Sequence, residues 1–221
     1  MRLVEYEYCF LIEDFFSPAI IAGFTKPALK GDLTRDIYKS LVFFKRKLSV
    51  SYMNQLHSAT MHCVKKAGMY EGDALFSKVK NNVLVVKTAD CLPLFLESKE
   101  LGIIGVVHMG WRGAKEGIIS NIDYNFSSFK AAAGVGLRQC CYEVGKEFYS
   151  YTAFKPFLKE KKAKVYFDPI DFAKNTLIRQ GLKEENFFDS AICSFCSPGD
   201  FFSYRRDKTS HRTLSFILKL K

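Results

Sequence analysis

The sequence predicts an α+β fold, and three observations support that prediction. The chain has 221 residues, of which 48% are hydrophobic, so it can bury a sizeable core. Its 21 Phe and 11 Tyr favour a strand-rich interior. Predicted strands occur in groups as well as in alternation with helices, whereas a strict βαβ array would alternate throughout. Because the sequence contains no repeat, low-complexity tract or obvious linker, we expect a single domain over residues 1–221.

The first half of the chain is predicted to consist mainly of strands. Aromatic, β-branched and partly alternating residues predict strands in six segments: RLVEYEYCFLI, IIAGFTK, VSYMNQLHSATMHCV, NNVLVVKT, LPLFLE and LGIIGVVH. A helix is predicted in TRDIYKSLVFFKRKLSV, because four apolar residues recur at the spacing of one helical face: Ile37, Leu41, Phe44 and Leu48. The segment MGWRGAKEGIISNIDYNF then predicts a glycine-rich turn followed by a helix.

The second half is predicted to contain two helices and two further strands. The segment YEVGKEFYSYTAFKPFLK predicts a helix up to Pro156. The segment FDPIDFAKNTLIRQGL has the clearest helix signals, namely Asp168 as N-cap, Pro169 at the first position, Asp171 in the first turn and Gly181 after the last turn. The remaining strands are predicted in NFFDSAICSF and TLSFILKL.

The charge and the cysteine content narrow the class of protein. A net charge of +10 is compatible with nucleic acid, a membrane surface or acidic small molecules as partners, and also with a lysine-rich surface that only keeps the protein soluble. The first residues do not resemble a signal peptide, and no run approaches the ~18 apolar residues of a membrane helix. We therefore expect a cytoplasmic protein without membrane association, in which the seven cysteines are reduced.

Two histidines and one cysteine are candidate metal ligands. His108 ends one predicted strand, Cys91 lies in the turn between two others, and His57 lies within a predicted strand earlier in the chain. Two imidazoles and one thiolate would form a three-ligand zinc site with an open fourth position, as catalytic zinc requires. Such a metal polarises a substrate or lowers the pKa of bound water to about 7. The spacing of the three residues does not require a metal, so structural roles remain the alternative.

Residues near this triad suggest an anion site. Gly110 and Gly113 would let the backbone turn sharply and approach a ligand, and Arg112 would add a fork of donors. The alternative is a tight turn in which Trp111 is a packing anchor. Asp90, beside the cysteine, is a candidate orienting or acid–base group, or else a turn-capping residue.

Two further segments carry reactive or charged residues. The segment DFFSYRRDKTSHR contains four basic residues among aromatics, namely Arg205, Arg206, Lys208 and Arg212. This composition suits a nucleoside or phosphate pocket and also single-stranded nucleic acid. Cys193 and Cys196 form a C-x-x-C pair that could be redox-active. A zinc ribbon would need a second such pair, whereas QCCYE contains two adjacent cysteines instead.

Four motifs together resemble one family. TADCLPLFL, GVVHMGWRG, CCYEVG and FFSYRRD occur in the order found in the YfiH family, which the sequence resembles over residues 53–212. NQLHSA is similar to the family's Gln-x-His segment, and EGDAL to its Gly-Asp-Ala segment. The family's Gly-Gly-Val-Ser loop is absent, and the region reads FTKPALKGDLTRD. The resemblance implies a four-layer α/β/β/α sandwich with mixed sheets.

The resemblance also implies a function. The family is described both as laccase-like multicopper polyphenol oxidase and as purine nucleoside phosphorylase. The second description implies a catalytic zinc on His57, Cys91 and His108, with adenosine, inosine or methylthioadenosine and phosphate as substrates, and adenosine deamination as a further activity. In this interpretation Asp90 joins the three ligands in catalysis, and the residues that bind nucleoside or phosphate are Gly110, Arg112, Gly113, Tyr142 and Arg205.

Three alternatives use the same residues. A copper-dependent polyphenol oxidase could hold one blue copper on two histidines and a cysteine with an axial Met109. A strand places neighbouring side chains on opposite faces, however, so Met109 should point away from His108, and four histidines are few for a multicopper site. A cysteine hydrolase could use Cys91 as nucleophile. A non-enzymatic basic protein would bind an acidic partner, although no nucleic-acid-binding module is evident.

Overall fold

The computed structural model describes residues 1–27, 33–42 and 47–221. In those residues the strands are β1 (Arg2–Glu5), β2 (Cys9–Glu13), β3 (Ile20–Thr25), β4 (Ser49–Asn54), β5 (Met61–Val64), β6 (Gly68–Glu71), β7 (Ala74–Ser77), β8 (Asn82–Thr88), β9 (Leu92–Ser98), β10 (Ile103–Met109), β11 (Phe129–Ala133), β12 (Glu143–Val144), β13 (Leu158–Lys161), β14 (Lys164–Phe167), β15 (Phe187–Asp189) and β16 (Thr213–Lys219). The α-helices there are α1 (Leu33–Ser40), α2 (Trp111–Lys115), α3 (Pro169–Arg179) and α4 (Tyr204–Asp207). Short 3-10 helices span Phe126–Ser128, Lys146–Ser150, Thr152–Phe157 and Glu184–Asn186.

The described strands form two large sheets and one small sheet. The first large sheet has the order β1-β2-β3-β16-β8-β4-β6, and the second has the order β15-β11-β9-β10-β7-β5. Both are mixed, because β4 is parallel to β8 and β6 in the first, and β7 is parallel to β5 in the second, among otherwise largely antiparallel pairs. The small sheet has the order β12-β14-β13. The predicted α+β class with mixed sheets is confirmed.

Three apolar clusters hold these layers together. One cluster contains buried side chains of both large sheets, such as Phe24 of the first and Phe95 of the second, so the two sheets face each other across it. A second cluster joins the second sheet to α3 through Phe172 and Leu177. A third joins the first sheet to Ile37 of α1. These contacts are consistent with the predicted sandwich.

The strands that surround the site follow the sequence closely. β8, β9 and β10 form in the predicted segments NNVLVVKT, LPLFLE and LGIIGVVH, and nearly all of their residues are buried. Apolar runs of this length are typical of strands covered on both faces. β10 continues through Met109, whose side chain is buried in the second cluster, the one that joins the second sheet to α3. The prediction that Met109 points away from His108 is therefore confirmed.

The predicted caps of α3 are also present. The side chain of Asp168 accepts hydrogen bonds from the backbone N–H groups of Ile170 and Asp171, and Pro169 occupies the first helical position. The helix ends at Arg179, and Gly181 has a φ of 104° that favours glycine. This helix formed as predicted because its signals are local.

Two predictions in the first half of the chain are wrong. β4 ends at Asn54 and β5 begins at Met61, so His57 lies in a loop and not within a strand. Of the helix predicted up to residue 50, the described residues contain α1, which ends at Ser40, and Leu48 is not helical but directly precedes β4, which pairs with β8 in the first sheet. Phe44 lies outside the described residues. Part of FTKPALKGDLTRD likewise lies outside them.

Two helix predictions further along the chain are also wrong in extent. The glycine-rich turn is followed only by the short helix α2. The segment up to Pro156 forms β12 and two 3-10 helices, the second of which contains Pro156. These short turns direct aromatic rings to one core: the centroid of Phe154 lies 5.6 Å from that of Phe148 and 4.7 Å from that of Phe167. Burial of these rings therefore outweighed the local helical preference. Across the described ranges, no helix has the length and apolar character needed to cross a bilayer.

Candidate active site

The core of the site is His108, near the end of β10. Its side chain is 2% exposed, and Nδ1 lies 2.7 Å from Oδ1 of Asp73. The backbone N–H of His108 also donates to the carbonyl oxygen of Asp73 at 2.7 Å. A carboxylate that accepts from Nδ1 fixes the imidazole tautomer and leaves Nε2 available as a metal ligand.

The same carboxylate holds the loop that carries His57. Asp73 accepts hydrogen bonds from the backbone N–H groups of Leu56, His57 and Ser58 and from the Ser58 hydroxyl, at 2.7 to 3.3 Å. His57 has a φ of 58°, in the left-handed region that non-glycine residues rarely occupy. The hydrogen bonds to Asp73 therefore stabilise a strained backbone that presents the imidazole to the site.

Asp73 itself is fully buried and ionised. Burial raises the pKa of a carboxyl group, but the hydrogen bonds from His108 and Ser58 more than offset this effect and hold the pKa of Asp73 below its ordinary value. The fold thus places a negative charge directly behind the two histidines. Sequence reasoning assigned no role to Asp73, although it matched the EGDAL segment that contains Asp73 to the family's Gly-Asp-Ala segment. A further signal was its position immediately before a buried strand, because a buried acidic residue must find a partner.

Cys91 completes the cluster from the loop between β8 and β9. Its Sγ lies 3.9 Å from Nε2 of His57, and the ligand atoms of His57, Cys91 and His108 all lie within 4.8 Å of one another. Tetrahedral zinc with Zn–S ≈ 2.3 Å and Zn–N ≈ 2.0–2.1 Å separates such atoms by roughly 3.5 Å. The donor types and their spacing therefore fit a metal with three protein ligands.

The thiol and the imidazole of this cluster change each other's ionisation. Burial alone would raise the pKa of the Cys91 thiol, but the imidazoles of His108 and His57 lower it to about 6. Burial would likewise lower the pKa of His108, but the Cys91 thiolate and Asp73 raise it to about 9. Cys91 is therefore a thiolate near neutral pH, the form that binds metals.

The two glycines of GWRG allow close packing behind the cluster. A Cβ on Gly110 would lie 2.9 Å from Cδ2 of His57 and 3.2 Å from Sγ of Cys91. A Cβ on Gly113 would lie 2.8 Å from the carbonyl oxygen of Ser58. Both glycines thus let α2 approach the three residues of the cluster. Trp111 and Arg112, between the two glycines, line a cavity beside the cluster.

A cavity of about 960 Å³ opens over the cluster. His57, Cys91 and His108 lie in its wall together with Gln55, Trp111 and Tyr142. Five cationic side chains line the cavity: Lys87, Arg112, Arg205, Lys208 and Arg212. Three acidic side chains line it as well: Asp90, Glu143 and Glu147. This excess of positive charge favours an anionic ligand. Lys208 and Arg212 belong to the segment DFFSYRRDKTSHR that the sequence predicted for such a pocket, whereas Lys87 was not assigned to the site from sequence.

Arg112 and Arg205 differ in how free their guanidinium groups are. Within residues 1–27, 33–42 and 47–221, no hydrogen bond or ion pair engages the Arg112 guanidinium, which lies 4.6 Å from the ring centroid of Trp111. Nη1 of Arg205 donates to the carbonyl oxygens of Cys141 and Glu143, and its guanidinium lies 5.4 Å from the ring centroid of Tyr142. The Arg112 guanidinium is thus more available to a ligand, whereas the Arg205 guanidinium also holds two segments of the cavity wall together through its hydrogen bonds.

Asp90 links several parts of this wall. Its carboxylate accepts from the Ser194 hydroxyl at 2.8 Å and from the backbone N–H of Arg205 at 2.7 Å. Its carbonyl oxygen accepts from the backbone N–H of Leu137 at 2.7 Å. The φ of Asp90 is 94°, a strained value for a residue with a side chain. These contacts favour a positioning role for Asp90 next to Cys91.

Most of this chain matches the model of one known protein family. The model of a family described as multi-copper polyphenol oxidoreductase laccase matches residues 31–219. The chain belongs to this family, the YfiH family. The resemblance predicted from the sequence motifs is therefore confirmed.

Relatives of this YfiH-family chain carry two kinds of name. A protein of Aquifex aeolicus named purine nucleoside phosphorylase is 41% identical over 160 residues, covering 68% of this chain and 72% of the relative. A protein of the same name from Borreliella burgdorferi is 31% identical over 185 residues, covering 76% and 79%. Adenosine deaminase RL5, from an unknown prokaryotic organism, is 30% identical over 158 residues, covering 64% and 60%.

A solved structure agrees with the YfiH-family fold. YlmD from Geobacillus stearothermophilus superimposes with a TM-score of 0.87, covering 99% of this chain and 98% of that protein. The two sequences are 21% identical, so this similarity establishes the shared fold alone.

Proposed function

We propose that the protein is a zinc-dependent purine nucleoside phosphorylase that acts on adenosine, inosine or methylthioadenosine, with adenosine deamination as a second activity. The main support is the cluster of His57, Cys91 and His108 in the wall of a cationic cavity. The names of the relatives from Aquifex aeolicus and Borreliella burgdorferi support the phosphorylase reaction, and the name of RL5 supports deamination.

The size and lining of the cavity suit a nucleoside and a phosphate ion together. A volume of about 960 Å³ lies at the upper end of small-molecule sites, which measure roughly 300–1,000 Å³. Trp111 and Tyr142 offer aromatic surfaces on which a purine can stack. The free guanidinium of Arg112 offers the bidentate geometry that recognises phosphate, and Lys87 adds positive charge. In this proposal Gly110 and Gly113 contribute to the binding site by letting Trp111 and Arg112 approach the cluster.

His57, Cys91 and His108 would hold the zinc. When bound, zinc supplies Lewis acidity and a water molecule of lowered pKa. In phosphorolysis a phosphate oxygen bonds to C1′ of the sugar as the bond from C1′ to the purine nitrogen breaks, and the base leaves with that electron pair and a proton. In this scheme Arg112 stabilises and orients the phosphate, Asp73 keeps the ligand imidazoles in place, and Asp90 positions Arg205 at the cavity wall.

Product analysis with and without phosphate tests this proposal. The purified protein is incubated with adenosine, and adenine plus ribose 1-phosphate formed only in the presence of phosphate supports phosphorolysis. Inosine formed without phosphate supports deamination. His57→Ala, Cys91→Ala and His108→Ala should each lose turnover and one zinc ion per chain relative to the wild-type protein, whereas His62→Gln, a histidine outside the cluster, should lose neither. Full zinc content in all three ligand variants would show that the metal assignment is wrong.

The family description favours copper oxidation of phenols as a second candidate. Among the described residues, the two groups able to hold a metal are the His57–Cys91–His108 cluster and a set of four cysteines, so one mixed histidine–cysteine centre is available. In this hypothesis Met109 would be the axial ligand of a blue copper site. Its side chain is instead buried in the core and points away from His108, which counts against that role. Oxygen uptake with a phenol after copper loading, without nucleoside turnover by the zinc form, would favour this second candidate.

A further inference from the structure

Four cysteines that the proposed reaction does not use lie together. Cys140, Cys141, Cys193 and Cys196 place their sulfur atoms within 4.8 Å of one another. Sγ of Cys196 lies 3.2 Å from Sγ of Cys141 and 3.9 Å from Sγ of Cys140. The isolated C-x-x-C pair of the sequence thus meets a second pair, the adjacent cysteines of QCCYE. All four are free thiols and not paired as disulfides.

The C-x-x-C turn is a tight loop. The backbone N–H of Ser197 donates to the carbonyl oxygen of Cys193 at 3.2 Å, so the turn folds back over its own first cysteine. Cys193 is buried, whereas Cys140 and Cys196 are exposed. The turn therefore brings a buried and an exposed sulfur of one pair to a common centre, at a spacing suited to metal coordination.

We propose that these four cysteines bind a second zinc ion, in a structural site. Four thiolates occupy all positions of tetrahedral zinc and leave none for substrate, unlike the three-ligand cluster of the cavity. With Zn–S ≈ 2.3 Å, tetrahedral geometry separates the sulfurs by roughly 3.8 Å, close to the separations around Cys196. Binding displaces the thiol protons, so four thiols and one Zn²⁺ give a complex of charge −2 and four protons. Arg206 donates to carbonyl oxygens within the C-x-x-C turn, so its positive charge lies beside the site and offsets this negative charge.

This second site would hold two segments of the cavity wall together. Cys141 directly precedes Tyr142, and the segment after Cys196 leads to Tyr204 and Arg205. The tyrosines and the arginine line the cavity. Nη1 of Arg205 already bridges the segments by donating to the carbonyl oxygens of Cys141 and Glu143. The four-cysteine site and the cavity are therefore coupled through the backbone. The existence of the second site does not depend on which reaction the cavity catalyses.

A second line of hydrogen bonds anchors the same segment. Nη1 of Arg206 donates to the carbonyl oxygens of Ser194 and Phe195 at 2.7 and 3.0 Å, within the C-x-x-C turn. The backbone N–H of Ser194 donates to the carbonyl oxygen of Gly136 at 3.0 Å, and Gly136 and Cys193 form a parallel β-bridge. These contacts keep the turn in place beside the loop of Cys140 and Cys141. The cysteine positions are thus set by the fold before any metal binds, which favours tight binding.

Metal counting tests the inference. Protein purified without chelator should contain two zinc ions per chain, by elemental analysis. The variant Cys193→Ser/Cys196→Ser should contain one, His57→Ala/Cys91→Ala should contain one, and Cys63→Ser should contain two, because Cys63 lies outside both clusters. A single zinc that is lost from His57→Ala/Cys91→Ala and kept in Cys193→Ser/Cys196→Ser would overturn the inference. Because the two variant pairs are measured separately, failure of the second site is distinguishable from failure of the zinc proposed for catalysis.

X-ray absorption on His57→Ala/Cys91→Ala keeps the test independent of whether the cysteine variant folds. This variant retains all four cysteines of the proposed site, and its zinc should have four sulfur neighbours at about 2.3 Å. Cobalt substituted for this zinc should produce the intense sulfur-to-metal charge-transfer absorption of a tetrathiolate centre. A mass lower by two hydrogens per disulfide in the freshly purified wild-type protein, with loss of the second zinc, would identify the group as a redox pair and contradict the inference.

Discussion

Oδ1 of Asp73 lies 2.7 Å from Nδ1 of His108, and the same carboxylate accepts three backbone N–H groups of the loop that carries His57. One buried side chain therefore holds in place two candidate metal ligands that reach the site from different parts of the chain. Partners of this kind fix the direction of an imidazole and raise its basicity as a ligand. The integrity of the metal cluster is thus expected to depend on a residue that does not touch the metal.

Replacing this partner should weaken metal binding. Asp73→Asn retains the size of the side chain but removes the charge, so its amide can no longer accept every hydrogen bond that the carboxylate accepts. We expect zinc affinity to fall by roughly 10–100-fold, measured by competition with a chromophoric chelator. Asp171→Asn, in the first turn of α3, is the control and should retain wild-type affinity. Equal affinities for the two variants would show that Asp73 only supports the fold.

Alkylation of Cys91 should depend on pH in the metal-free protein. Its folded-state pKa is lowered to about 6, so the reactive thiolate is present above that value and is lost as the pH falls through it. The rate of carboxamidomethylation at Cys91, followed by peptide mass spectrometry after chelation, should therefore have a midpoint near pH 6.

Two comparisons make this pH experiment specific. His108→Ala should move the midpoint to higher pH, because His108 is the larger of the two imidazole contributions that lower the pKa of Cys91. Adding zinc back should protect Cys91 at every pH tested, because the sulfur is then coordinated. A midpoint that is unchanged in His108→Ala would contradict the coupling between the two side chains.

Removal of the Arg112 guanidinium should weaken use of phosphate. Arg112 faces the cavity without an ion-pair partner among the described residues, so its charge is available to an anion. We expect Arg112→Ala to raise the KM for phosphate by roughly tenfold, about the effect of one hydrogen bond to a charged group. Arg112→Lys should recover only part of this loss, because lysine lacks the planar fork.

The zinc content gives this experiment its internal check. Arg112→Ala should retain the zinc of the wild-type protein, since Arg112 is not a ligand. Arg179→Ala, on the exposed side of α3, should change neither zinc content nor the KM for phosphate. An unchanged KM in Arg112→Ala would place the phosphate elsewhere in the cavity.

The N-cap of α3 should contribute stability without affecting the site. Asp168→Ala removes the acceptor for the N–H groups of Ile170 and Asp171, so the free energy of unfolding should fall by about 1 kcal/mol. Urea denaturation measures this change, and Asp168→Asn, which can still accept, should lose less. Zinc content should be unchanged in both variants. No loss of stability in Asp168→Ala would mean that water replaces the cap at no cost.

Several features followed from the sequence because their causes are local. Asp168, Pro169 and Gly181 delimit α3 through caps and backbone preferences that act within a few residues. β8, β9 and β10 are continuous apolar runs with turn residues between them. Cys91 precedes β9 and His108 lies near the end of the neighbouring antiparallel strand β10, so both lie at the same end of these two central strands of the second sheet.

Other features were decided only by tertiary structure. Whether Asp73 meets His108, and whether Cys140 and Cys141 meet Cys193 and Cys196, depends on which distant segments pair, and no local preference encodes that choice. The loop at His57 adopts a positive φ because Asp73 supplies hydrogen bonds from 15 to 17 residues away in sequence. By itself, the sequence determined the class of fold and singled out His57, Cys91 and His108 as candidate metal ligands. Folding determined how they are oriented, because a buried carboxylate or thiolate is stable only where other segments supply its hydrogen-bond donors.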